Sequence, residues 1–152
     1  MTPGPISAVV VADRAAWIRR MLAGIRSLPT HSAEEFAASP PTIAAAESYL
    51  RRALEALLDL GRHILAKGFA RGVAEYKAIA AALAEEGVIR PEEAELLVRL
   101  AGYRNRMVHF YHAVSDEELR LICRDGLGDI ELLLDALLRW LGSHGDRLDH
   151  EI

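Results

Sequence analysis

The stretch Gly102-Tyr103-Arg104-Asn105-Arg106-Met107-Val108-His109-Phe110-Tyr111-His112 gathers two arginines, an amide, two histidines and two tyrosines. A histidine titrates near neutrality and can take or give a proton. An arginine can grip an oxyanion with two parallel N–H bonds. At about 100° per helical residue, Asn105, His109 and His112 share one face, and Tyr111 falls almost in line with Arg104. Arg104 and His109 stand roughly 140° apart on that wheel. A shared site therefore needs the reach of the arginine, a local bend or a second subunit's helix. A plain structural account fits the same residues. Arg and His near a helix C-terminus complement its dipole. Tyr111 can be a core aromatic with a wet hydroxyl.

Other polar residues carry weaker signals. Glu55 and His63 lie eight residues apart, about two helical turns. They can face one cleft or form a polar anchor between helices. Glu92, Glu93 and Glu95 read as a solvated helix start that complements the dipole. Cys123 is the sole cysteine, which excludes an intrachain disulfide and a thiolate zinc site. No His/carboxylate spacing suggests a metal site and no Gly-rich phosphate loop is present. No cofactor is expected.

The elements that must position these residues are helices. Val10, Trp17, Ile18, Met21, Leu22 and Ile25 form one stripe and predict a helix over 9–25. Ser32 with Glu35 resembles a capping box for a short helical turn. After Ser39-Pro40-Pro41, Thr42 is the expected N-cap of the longest helix, over 43–66. Tyr49, Leu50, Leu54, Leu57, Leu58, Ile64 and Leu65 mark its buried face. Gly61 within it points to a close helix contact. Residues 67–73 read as a loop, and a helix over 74–86 turns Tyr76, Ile79, Ala80 and Leu83 inward before Gly87 stops it. Pro91 opens the motif helix. Ser115 with Glu118 opens the last one, running to 141 with Gly126 and Gly128 as places to bend. Residues 142–152 read as a frayed polar tail. Nothing alternates as a strand.

The expected architecture is all-α, a mostly antiparallel four- to five-helix bundle. It is one domain over 1–152 with its core at about 9–141. At 51% hydrophobic and 26% charged, 152 residues can bury a core unaided. The net charge of −4 argues against a broad basic surface for duplex DNA. The apolar run at 6–12 is too short for a signal peptide and reads as a helix start. No uncharged run approaches membrane-spanning length. These features predict a cytoplasmic protein with no membrane partner.

Arg104, His109 and Tyr111 match the Arg-x4-His-x-Tyr motif, and the chain resembles the HepT-like toxins of the HEPN superfamily. Leu100-Ala101-Gly102-Tyr103-Arg104-Asn105 is similar to the family's approach to that motif. Glu55-Ala56-Leu57-Leu58-Asp59-Leu60-Gly61-Arg62-His63-Ile64 resembles its long second helix, and Ala81-Ala82-Leu83-Ala84-Glu85-Glu86-Gly87-Val88-Ile89 its connector. The likeness covers roughly residues 43–141. Two positions depart from it. Phe110 stands where many relatives carry an acid, and Arg62 where many carry Asn. The first alters local polarity beside His109; neither removes a motif residue.

The resemblance implies the toxin of a type II/VII-like toxin–antitoxin pair, a metal-independent endoribonuclease with its Arg/His site at a homodimer cleft. His109 would be the acid/base and Arg104 the phosphate clamp, with Asn105 orienting the histidine or binding phosphate. His112 fits a helper or a solvated surface histidine. The implied partners are an RNA substrate, a second copy and a cognate minimal nucleotidyltransferase antitoxin, which would transfer AMP to Tyr111. The competing class is a non-catalytic nucleotide- or partner-binding subunit of a nucleotidyltransferase complex.

Overall fold

Two consecutive prolines open the longest helix. In the computed structural model, which describes residues 3–109 and 113–149, α3 runs Pro40–Phe69. Proline fits the first turn because its missing N–H would have no partner there. The cap is therefore Ser39 and not Thr42: the Ser39 hydroxyl accepts from the Thr42 N–H at 3.3 Å. The helix also outlasts its expected end. It continues through Gly68 to Phe69, and Ala70 closes it in the left-handed region at φ 51°.

α1 (Ala8–Arg26) lies along α3, with α2 (Ala33–Ala37) between α1 and α3 in sequence. α4 (Tyr76–Glu85) and α5 (Pro91–His109) pair with each other and with α3. α6 (Asp116–Asp125) and α7 (Leu127–Ser143) cover the remaining side of α3. The fold class is all-α, with α3 at its center. Leu50, Leu54, Leu57, Leu58, Leu60, Ile64 and Leu65 are sealed from solvent along α3. Each such side chain contributes about 1.5–3 kcal/mol of transfer free energy.

Two glycines shape this packing. A Cβ on Gly61 would lie 3.0 Å from both Ile79 and Leu83, so this is where α4 crosses α3. A Cβ on Gly126 would meet the Ile122 carbonyl oxygen at 2.8 Å. The expected single last helix is thus two helices broken at Gly126, while Gly128 stands in open space.

The chain ends differ from expectation as well. The tail is not frayed over 142–149. α7 reaches Ser143, a 3-10 turn spans Gly145–Arg147, and β2 (Leu148–Asp149) pairs in parallel with β1 (Ile6–Ser7). Arg147 donates to the Gly68 carbonyl and lies 4.8 Å from the Phe69 ring. Glu93 is buried instead of solvated, accepting from the Arg90 N–H at 2.8 Å and pairing with Arg139 at 3.3 Å. No described helix is long and apolar enough to cross a membrane.

Candidate functional site

α5 carries Arg104, Asn105 and His109 toward its C-terminal end, and all three line one open cleft of about 470 Å³. The opposite wall is the approach to α4 and its first turn, Ala74 to Lys77, with Arg62 of α3 beside it. Arg104 and His109 thus line the same cleft within one chain despite their angular separation on the helix. His109 is the last residue of α5 and is exposed. Tyr111 and His112 lie outside the described residues.

Arg104 is largely enclosed, its side chain 20% exposed. Its guanidinium carbon lies 4.6 Å from the center of the Tyr76 ring. Its Nε is 3.5 Å from Glu55 Oε1. That separation is a Coulombic contact without hydrogen-bond geometry, and Nε has no hydrogen-bond partner among the described residues. Nη1 donates to Asn105 Oδ1 at 3.3 Å. Nη2 has no partner among the described residues. The side chain is therefore held in place while part of its donor capacity stays open for an anion.

Glu55 and His63 part company. Glu55 faces Arg104 and also accepts from Arg51 at 3.2 Å. His63 does not line the cleft. It accepts the Ser7 N–H at 3.2 Å through Nε2, where the first residues join α3. That bond needs a neutral ring. Burial, then the charges of Lys67 and Arg14, hold the His63 pKa below 6.5. The folded state consequently binds fewer protons than the unfolded chain as pH falls through that value, and stability falls with it. The loss is complete once pH is below the depressed folded pKa. Wild type should lose more melting temperature between about pH 7.5 and 5 than His63→Gln does. Equal acid sensitivity of the two proteins would show that His63 contributes nothing to it.

Cys123 belongs to the core rather than to any site. It is buried, and burial pushes its thiol up to about 12. Among the described residues no group of three His, Cys, Asp or Glu side chains is arranged to hold a metal ion.

A family model for the HepT-like ribonucleases matches residues 18–137. The chain belongs to the HepT-like family. No curated protein matches it. Among solved structures, this HepT-like chain is similar to a tri-AMPylated HEPN toxin of Shewanella oneidensis in complex with its MNT antitoxin. The TM-score is 0.77 at 20% identity, over 86% of this chain and 97% of that one. It is also similar to a toxin–antitoxin structure with AMP-PNP, at TM-score 0.76 and 20% identity over 84% and 97%. A cytosolic protein of unknown function from Bacillus subtilis, YutE, aligns at TM-score 0.70 and 20% identity, over 88% and 89%. At these identities the structures establish a shared fold.

Sequence reasoning missed three residues of this HepT-like cleft. Tyr76 has the spacing of a core aromatic, yet its ring meets both Arg104 and Arg62. Arg62 stood out only as a departure from the family's Asn. Lys77 lines the cleft and carried no signal beyond being one of two lysines.

Proposed function

We propose that this protein is the toxin of a toxin–antitoxin pair and cleaves RNA at the cleft of Arg104, Asn105 and His109. The observation that carries the reading is their convergence on one cleft, with the Arg104 guanidinium held against the Tyr76 ring and its Nη2 without a partner among the described residues. Family membership supports it, and so does the fold shared with toxins solved beside their antitoxins.

The chemistry follows from the side chains. The ribose 2′-hydroxyl attacks the adjacent phosphorus and the bond to the 5′-oxygen breaks. His109 takes the hydroxyl proton, or in its protonated form gives one to the leaving oxygen. Arg104 neutralises the charge that builds on the phosphoryl oxygens. Asn105, one turn before His109 and bonded to Arg104, orients the pair. A second copy of the chain would enlarge the cleft and supply a second histidine. The natural partner is a nucleotidyltransferase antitoxin acting on Tyr111.

The test is purified protein incubated with RNA in excess chelator. The expected products carry 2′,3′-cyclic phosphate ends, and cleavage persists without divalent metal. RNA left intact by folded protein that still binds nucleotides would move the chain to the non-catalytic alternative.

A further inference from the structure

We infer that Tyr76 is a positioning residue for Arg104, its ring fixing the plane of the guanidinium that grips RNA phosphate. The inference rests on the proposed ribonuclease reading and adds a residue to it.

Among the described residues, three groups touch the Arg104 guanidinium. Glu55 sits 3.5 Å from Nε but makes no hydrogen bond with it. It supplies charge without direction, and it shares that charge with Arg51. Asn105 accepts from Nη1 at 3.3 Å, a long bond from the adjacent residue on the same helix. The Tyr76 ring, 4.6 Å from the guanidinium carbon, is the remaining restraint and a broad planar one. A guanidinium stacks on an aromatic face as well as being drawn to it by charge. Such a contact fixes orientation and leaves the edge donors open.

The ring is itself held. The Tyr76 hydroxyl donates to Asp59 Oδ1 at 3.0 Å. A second guanidinium, Arg62, lies 4.7 Å from the same ring. Arg62 donates from Nε to the Val73 carbonyl at 3.0 Å and from Nη2 to the Ala74 carbonyl at 2.7 Å. Its Nη1 bonds Asp59 at 3.1 Å. All three of its nitrogens are engaged, so Arg62 acts as a strut and not as a second phosphate ligand. Asp59 offsets the repulsion of two cations on one ring. A rigid path thus runs from the loop before α4 through Arg62 and Tyr76 to Arg104.

Tyr76→Phe keeps the ring and removes only the hydroxyl. Tyr76→Leu removes the ring. On a short RNA, the Phe variant should stay within about threefold of wild-type kcat/KM, whereas Leu should lose on the order of tenfold or more, mainly in kcat. In an Arg104→Ala background, Tyr76→Leu should cause no further loss, because its effect runs through Arg104. The pH–rate profile of Tyr76→Phe should match wild type, since the hydroxyl moves no proton in the reaction. A reporter independent of cleavage is the Arg104 Nε–H signal in NMR, which should persist in the Phe variant and shift or broaden in the Leu variant.

The outcomes separate. Wild-type protein that cuts no RNA, with the Arg104 signal still dependent on the ring, overturns the ribonuclease reading and leaves the positioning role standing. An unchanged Arg104 signal with full activity in Tyr76→Leu overturns the positioning role alone. Additive losses in the Arg104→Ala background overturn it too. If Tyr76→Leu fails to fold by its melting curve, Tyr76→Met removes the ring with a flexible side chain and takes the same tests.

Discussion

His109→Ala is expected to leave RNA essentially uncut, with kcat reduced by at least about 10²-fold, the usual contribution of a positioned acid or base. The fold should not notice. His109 is exposed at the end of α5, so truncation should cost within about 0.5 kcal/mol of stability. Arg104→Ala should produce a comparable loss by a different route. It removes the donor aimed at the phosphoryl oxygens, a change worth about 10²–10³-fold where a preorganised donor is lost. Arg104→Lys should not restore activity, because an ammonium neither stacks flat on Tyr76 nor offers a planar fork. The two variants differ in what each leaves in place. Arg104→Ala keeps the proposed acid/base, whereas His109→Ala removes the group proposed to move the proton and keeps the proposed phosphate clamp. The measurement is cleavage of a short labelled RNA across pH, alongside melting curves. Full activity in folded His109→Ala would remove His109 from the chemistry.

The helices were legible because their signals are local. Ser115 caps α6 as its spacing with Glu118 suggests, and Gly87 closes the turn after α4 at φ 76°. Apolar stripes placed α1, α3, α4 and α5 because a helix facing a core repeats every three to four residues. Boundaries failed where two local signals compete. Ser39 and Thr42 are both good caps three residues apart, and the prolines between them decide for Ser39. Two-residue strands are too short to alternate, so β1 and β2 left no trace in the pattern.

The candidate site was half legible, and the division has a physical cause. Arg104, Asn105 and His109 lie on one helix, and the motif marks all three, although Arg104 and His109 point roughly 140° apart on an ideal wheel. Glu55, Arg62 and Tyr76 reach them from two other helices. Their roles depend on how α3, α4 and α5 cross, which is settled by packing at places such as Gly61. No local pattern distinguishes an aromatic that faces the core from one that turns its ring to a guanidinium. His63 shows the converse. Its spacing from Glu55 allowed either a shared cleft or a polar anchor, and eight residues carry a helix about 80° past two full turns, so His63 anchors Ser7 while Glu55 faces Arg104.

On the proposed toxin reading, Tyr111→Phe is expected to make this protein resistant to a cognate antitoxin, and this change should have the largest biological effect. Tyr111 lies outside the described residues. The expectation stands on its position two residues after His109 and on the motif it completes. A cognate nucleotidyltransferase, with ATP and magnesium, would form a bond from the tyrosine oxygen to the α-phosphorus and release pyrophosphate. On the proposed reading, each AMP so attached adds a phosphodiester anion two residues along the chain from His109. That anion competes for the open donor of Arg104 and repels incoming RNA. Tyr111→Phe keeps the ring and removes the acceptor oxygen. The variant should fold normally, cut RNA like wild type and escape neutralisation, so that co-expressed antitoxin rescues growth for wild type only. Intact-mass measurement after incubation with the antitoxin decides the point, with AMP additions on wild type and none on Tyr111→Phe. Equal additions on both proteins would show that the acceptor lies elsewhere. Loss of neutralisation without any mass change would mean that the antitoxin silences the toxin by covering the cleft, and that Tyr111 serves binding rather than transfer.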